Sequence, residues 1–434
     1  MGLLALLDYI VIAIGACGFA YQLFCIVVGW FGKVVKYPEV DPKHICVVIS
    51  ARNESAVIGE LLDSIEAQDY PKEFLDVWVC ADNCTDDTAD ICRSRGAYVV
   101  ERFNKDEIGK GYALGYLFEN MMQGTFGKAK AKSKNAAEIV GRQAKYEAFL
   151  VLDADNILKP DYVTEMNKVF SSGYRVVTSY RNSKNFSSNW VSSGSALWFV
   201  RESRLLNNSR QILGASCHVG GTGFMFARSI MERNGGWKHR LLTEDLEFTM
   251  DCVLNGDKVG YCGTAMLFDE QPVTFSQSWR QRLRWSKGFL QVFRHYADKL
   301  IRRAFREGDF SCLDLTLLIF PWVLFEVIRL GIGAIWVSLG FVSLESQIQS
   351  VIYMGRVTLT GSLFLMGVAL LTVFIEGERI GARKLELLSY VLSFPIYVLS
   401  YLPISIYAIF SKVEWKPITH GAKKDDSKTA VKSR

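Results

Sequence analysis

The chain reads as an α/β domain with a mostly parallel sheet, flanked by α-helical transmembrane and interfacial segments. Short β-branched runs alternate with amphipathic helical patterns between residues 45 and 152. Acidic residues cluster where those runs end. Apolar stretches long enough for a bilayer stand on either side.

The first element is Leu3 to Trp30, nearly continuous apolar sequence with one acid, Asp8. At 1.5 Å per residue it reaches roughly 42 Å, against ~30 Å of hydrocarbon. It lacks the basic start and small-residue cleavage site of a signal peptide. Residues 1–32 are therefore expected to form a retained anchor, with Lys33, Lys36 and Lys43 following on the cytosolic side.

Ile45–Ser50 reads as a strand ending in Ala51-Arg52-Asn53-Glu54, and Val57, Ile58, Leu61, Leu62 and Ile65 then repeat at helical spacing. Asp76–Ala81 and Ala97–Glu101 read as strands around a helix at Asp87–Arg95. Gly109–Met121 is helical, and Phe149–Leu152 is a buried strand stopping at Asp153-Ala154-Asp155. Such alternation places ligands at the C-terminal strand ends, where Asn53-Glu54, Asp82-Asn83 and Asp153/Asp155 fall. The Lys-, Ala- and Ser-rich Lys128–Lys145 stretch reads as a solvated insertion loop.

Apolar stretches return at Leu313–Leu344, Val351–Ile375 and Leu385–Phe410, before a basic tail beginning at Lys412. One span before the domain and three after would put that tail outside. Either one stretch is re-entrant, or Leu313–Leu344 is two elements broken around Pro321, Glu326 and Arg329. Asp314, Glu326 and Arg329 are costly in lipid and stand either with Glu326 and Arg329 as an i,i+3 pair on a buried helix face or in a sugar-lined passage. The expected layout is an anchor (1–32), a cytosolic domain (33–277), an interfacial helix (278–310), a membrane cluster (311–411) and a basic tail (412–434).

Composition bounds the function. Half of the 434 residues are apolar and 22% are charged, which excludes both a disordered chain and one made only of membrane spans. A formal charge of +5 carries no nucleic-acid signature. The ten cysteines form no paired CxxC pattern, and seven of them lie in the polar middle region, as a reducing compartment permits.

Asp153 and Asp155 share one side of an extended segment, and paired acids at a strand end suit a hard divalent ion completed by phosphate and water. Thr243-Glu244-Asp245 offers a general base, Asp245 or Glu244, and equally a helix N-cap box. Gln281-Arg282-Leu283-Arg284-Trp285 opens a helix with nine Lys/Arg against one acid between Arg280 and Arg306, as a membrane interface favours. Cys217 and His218 read as packing residues, since no second His or Cys stands at ligand spacing. Trp415, Lys416, Pro417 and His420 read as interfacial anchors, with substrate gating as the lesser option.

In order along the chain, Asn53-Glu54, Asp82, Gly109-Lys110-Gly111-Tyr112-Ala113-Leu114, Asp153-Ala-Asp155, Thr243-Glu-Asp245 and Gln281-x-x-Arg284-Trp285 resemble the membrane-integrated family 2 glycosyltransferases, the cellulose, hyaluronan and poly-N-acetylglucosamine synthases. The resemblance implies a GT-A fold and an inverting, processive enzyme at the cell membrane, transferring glucose or GlcNAc from a UDP-sugar to a growing β-linked polysaccharide. The alternative is a non-processive enzyme adding one or a few sugars to a lipid. It implies donor contacts from Ala51, Glu54, Asp82, Lys110, Asp153, Gln281 and Arg284, with Mg²⁺ or Mn²⁺ on Asp155. Asp245 would be the base, and Trp285, Glu244, Gly221 and Thr222 would meet the glycan acceptor; Tyr180-Arg181-Asn182 would lie near the nucleotide-sugar. The glycine loop at 220–223 departs from the Phe-Cys-Gly-Ser-like pattern of cellulose-type synthases. Four apolar stretches are few for a polymer pore, which leaves a minimal pore, one shared between subunits of a homo-oligomer, or none.

Overall fold

The computed structural model describes residues 2–123, 144–324 and 344–415, with isolated positions 327, 331 and 338. Eight strands are β1 (Ile45–Ala51), β2 (Leu75–Asp82), β3 (Tyr98–Arg102), β4 (Ala148–Asp153), β5 (Ile157–Leu158), β6 (Val176–Ser183), β7 (Phe224–Ala227) and β8 (Val259–Asp269). They form one sheet in the order β3-β2-β1-β4-β7-β6-β8-β5. The first four run parallel, in register from Ile45 opposite Leu75 and Ala148. β7 then runs antiparallel to both β4 and β6, and β5 antiparallel to β8, so the sheet is mixed. β6 pairs parallel with β8, so parallel pairing continues in the C-terminal half, and the departures from the expected mostly parallel sheet are the antiparallel β7 and β5. The reversal has a consequence for the site: with Phe224 opposite Val151, the loop entering β7 arrives where β4 ends.

β1 shows why its sequence is apolar at every position but Ser50. Cys46 and Val48 enter one core with Trp78, Leu114 and Phe118, while Ile45, Val47 and Ile49 enter another with Leu61, Leu62 and Ile65. A strand covered on both faces cannot alternate with polar residues.

The helices used below are α1 (Gly2–Phe31), α2 (Ile58–Glu66), α3 (Thr88–Ser94), α4 (Lys110–Gln123), α5 (Tyr162–Ser171) and α6 (Trp190–Arg201), which continues through a π-helical turn, Glu202–Asn207, into α7 (Asn208–Leu213). Further on come α8 (Arg228–Asn234), α9 (Glu244–Leu254), α10 (Phe275–Glu307), α11 (Phe310–Ile319), α12 (Leu344–Ile380), α13 (Lys384–Leu399) and α14 (Tyr401–Phe410). α10 starts six residues before Gln281, where Thr274 and Gln277 form a capping box.

α10 ties the sheet domain to the apolar helices. Its Arg282 is fully buried, donating to the Tyr397 carbonyl at 3.0 Å and to Ser400 Oγ at 2.6 Å, where α13 meets α14. Among the described residues, two segments are long and apolar enough to cross a membrane, Thr358–Ile380 and Lys384–Phe410. α1 turns Phe19, Leu23, Phe24 and Trp30 outward. α11 stops at Ile319 before extended Phe320 and Pro321, so the 313–344 stretch does break there. Asp314 is an internal ion pair: it accepts from Arg210 Nε at 2.6 Å and from the Tyr21 hydroxyl at 2.8 Å. Glu326, Arg329, Lys416, Pro417, His420 and all but the end of Lys128–Lys145 lie outside the described residues.

Candidate active site

Two asparagines shape the ends of β1 and β2. Asn53 (φ 56°) and Asn83 (φ 54°) adopt the left-handed conformation that Asn tolerates best among side-chain-bearing residues. Asn53 Oδ1 accepts from the Thr85 amide at 2.7 Å, and Asn83 Oδ1 from the Asn104 amide at 2.9 Å. The two loops are thereby cross-tied. Asp82, last in β2, is buried against Arg102, whose guanidinium donates to Oδ1 at 2.8 Å. Arg102 is a site-shaping residue that only the parallel β2–β3 pairing reveals, as it lies opposite Asp82.

At the end of β4, Asp153 forms an ion pair with Lys110, which also donates to the Gly221 carbonyl at 2.8 Å. Lys110 opens α4, and Gly111 lets that helix approach closely: a Cβ there would stand 2.4 Å from the His239 carbonyl. The Asp153 amide donates to Thr222 Oγ1 at 2.9 Å, and Thr222 donates to Asn156 Oδ1 at 2.5 Å. Thr222 is buried and does not line the cleft; it holds Asp153 in place instead of facing an acceptor. Asp155 is buried, with Oδ2 accepting from the Glu270 amide at 3.0 Å.

Glu244 and Asp245 open α9. Thr243 stands at the N-cap but makes no capping hydrogen bond, so the expected box is not formed. Thr243 packs instead on α10, where a Cβ at Gly288 would come within 2.5 Å of its methyl. Arg284 strengthens the junction by donating to the Leu242 carbonyl at 2.8 Å. Burial, then the neighbouring Asp245, pushes the Glu244 carboxyl up to about 7, with Lys110 and Arg284 opposing. Burial also raises Asp245, against the same two cations. Burial works against the charge of Lys110, but Asp153 and Glu244 outweigh it and raise its pKa.

These groups converge on one cleft of about 340 Å³. Ala51, Glu54 and Asp82 line it from β1 and β2, Asp153 and Asp155 from β4, and Lys110, Gly221, Glu244, Asp245, Gln281, Arg284 and Trp285 complete it. Sequence reading missed Arg52, Glu270 and Arg280 in its lining. Arg181 lies there too, paired with Asp269 and donating to the Gly220 carbonyl at 2.9 Å. Trp415 closes one side 5.7 Å from the Arg52 guanidinium, a place that interfacial anchoring alone does not explain. Among the described residues no three metal-ligating side chains stand together. A divalent ion here would draw mainly on Asp155 and Asp153, with the rest of its shell from diphosphate and water, a donor set that suits Mg²⁺ or Mn²⁺.

A second cavity, about 450 Å³, shares Asp245, Gln281, Arg284 and Trp285 with the first. Its walls are mainly apolar, with Leu246 from α9, Phe289 and Leu290 from α10, Leu317 to Leu324 around the end of α11, and Ile409 from α14. Arg201, Glu202, His218 and Ser405 add polar groups, and Trp198, Trp322 and Tyr401 add aromatic faces. Trp285 stands at the junction, edge-on to Phe199 at 5.8 Å.

The mixed sheet, with its acids at the strand ends, has a GT-A-like α/β fold. Over 93% of its length the chain superposes on the mannosyltransferase PcManGT from Pyrobaculum calidifontis, solved with GDP-Man and Mn²⁺, covering 99% of that chain (TM-score 0.56, 18% identity). The model described as "Glycosyltransferase like family 2" matches residues 42–288, and the chain belongs to that family. It is 26% identical over 265 residues to a β-monoglucosyldiacylglycerol synthase of Synechocystis, covering 61% of this chain and 50% of that protein. It is also 24% identical over 261 residues to a poly-β-1,6-N-acetyl-D-glucosamine synthase of Staphylococcus epidermidis (60% and 58%). The chain thus matches little more than half the length of these relatives.

Proposed function

We propose that this chain is a membrane-bound inverting hexosyltransferase that moves a sugar from a nucleotide-sugar to the hydroxyl of a lipid. The reading is carried by one observation, the direct junction of the acidic cleft with an apolar chamber at Asp245 and Trp285. A sugar chain needs polar and aromatic partners for its many hydroxyls. The chamber does hold aromatic and polar side chains, but Leu, Ile, Val and Phe from α9, α10, α11 and α14 make most of its wall. Such a wall suits an acyl-bearing acceptor whose polar head meets the few polar groups.

In the proposed step, Asp245 takes the proton of the acceptor hydroxyl while that oxygen attacks the anomeric carbon from the face opposite the diphosphate. The anomeric C–O bond breaks, its electron pair leaves with the nucleoside diphosphate, and configuration inverts. Lys110, Gln281 and Arg284 face the developing negative charge. A divalent ion on Asp155 and Asp153 would neutralise the diphosphate. Asp82 and Glu54 would receive the nucleoside end, and Thr222 keeps Asp153 in register.

The purified chain in detergent, given radiolabelled UDP-glucose or UDP-GlcNAc, Mn²⁺ and dioleoylglycerol micelles, should produce label extractable into organic solvent. A high-molecular-weight, solvent-insoluble glycan would instead establish the processive polysaccharide reading.

A further inference from the structure

The apolar chamber carries a polar cluster of which the transfer step uses only Gln281. His218 Nδ1, Arg201 Nε, Thr243 Oγ1 and Gln281 Oε1 are buried and make no hydrogen bond among the described residues. All four side chains line this chamber, and His218, Arg201 and Thr243 do not line the nucleotide cleft. Unpaired buried polar atoms are uncommon in folded proteins, and four of them in one apolar chamber mark a place for a polar group from outside the chain.

His218 is the best anchored of the four. Its Nε2 meets the carboxylate of Glu202, the first residue of the π-helical turn between α6 and α7. That contact orients the ring and leaves Nδ1 for a ligand. π-turns often stand at functional sites, since the extra residue re-aims a side chain. The loop carrying His218 is also bound to the helix of Asp245: the Val219 amide donates to Thr249 Oγ1 at 3.1 Å, and Thr249 donates to the Asp245 carbonyl at 2.9 Å.

We propose that His218, oriented by Glu202, binds the oxygen-bearing head of the acceptor through Nδ1 and presents its hydroxyl to Asp245. The proposal rests on the lipid-acceptor reading and adds to it the residue that grips the head.

Two substitutions separate the ring nitrogens, because an Asn amide reaches the position of Nδ1 and a Gln amide that of Nε2. With UDP-glucose and dioleoylglycerol micelles, His218→Ala should raise the acceptor KM at least fivefold while UDP affinity changes less than twofold. His218→Asn should recover most of that loss and His218→Gln should not. Glu202→Gln, which keeps the shape of its side chain, should raise the acceptor KM in the same direction. An acceptor KM within twofold of wild type in His218→Ala, a parallel loss of UDP affinity, or rescue by Gln in place of Asn would overturn the assignment. Should the wild-type chain extend sugar chains and leave diacylglycerol untouched, the lipid reading fails by itself. The same variants are then measured with chitobiose as acceptor, where an unchanged KM refutes His218.

Discussion

At the residue scale, the central feature is a pair of neighbouring acids whose affinity for protons is raised by burial. A general base must be ionised, so a raised carboxyl pKa puts the acidic limb of the pH–rate profile above the usual carboxylate range. Activity should therefore rise with pH along a limb displaced upward from that of an ordinary aspartate, as kcat/KM measured across the acidic and neutral range would reveal; a limb in the ordinary aspartate range would mean that Asp245 is a solvated carboxylate. Asp245→Asn should lower transfer by about 10³-fold or more, with UDP affinity within threefold of wild type by calorimetry. Near-normal turnover in that variant would remove Asp245 from the mechanism.

At the scale of elements, catalysis depends on how closely α4, α9 and α10 approach. Gly111 meets the His239 carbonyl, and Gly288 meets Thr243, at distances no Cβ tolerates. Backbone cannot yield as a flexible side chain does. Gly111→Ala should therefore cost about 1–3 kcal/mol, read as a lower melting temperature in detergent. Gly288→Val should displace α9 from α10 and reduce transfer more than it reduces stability, since Arg284 and Asp245 stand on the two sides of that contact. Equal losses in both would mean that the helix junction serves folding alone.

At the scale of the whole molecule, an acidic cleft and an apolar chamber meet between the sheet domain and the apolar helices. Leu318→Trp should fill part of the chamber, raising the KM for dioleoylglycerol with UDP affinity unchanged. Chelation with EDTA should abolish transfer, and added Mn²⁺ or Mg²⁺ should restore it. Activity that survives thorough chelation would assign neutralisation of the diphosphate to Lys110 and Arg284 alone.

The parallel strands, the helices between them and the acids at their ends were legible in the sequence. Local patterns decide those features: β1 is apolar from Ile45 to Ile49 because both its faces are covered, and Asp82, Asp153 and Asp155 follow where the apolar runs stop. The antiparallel β7, Arg102 opposite Asp82, Thr222 beneath Asp153 and the Glu202–His218 pair were not legible. Each depends on a partner 16 to 79 positions away along the chain, and no periodicity records such pairings. His218 reads as packing beside Cys217 because its neighbours in sequence say nothing of a carboxylate on a π-turn. The sequence by itself thus determined which chemical groups the chain brings to its strand ends. Only the tertiary structure decided that these groups face one cleft and that an apolar chamber opens beside the base, because both are properties of contacts between distant segments.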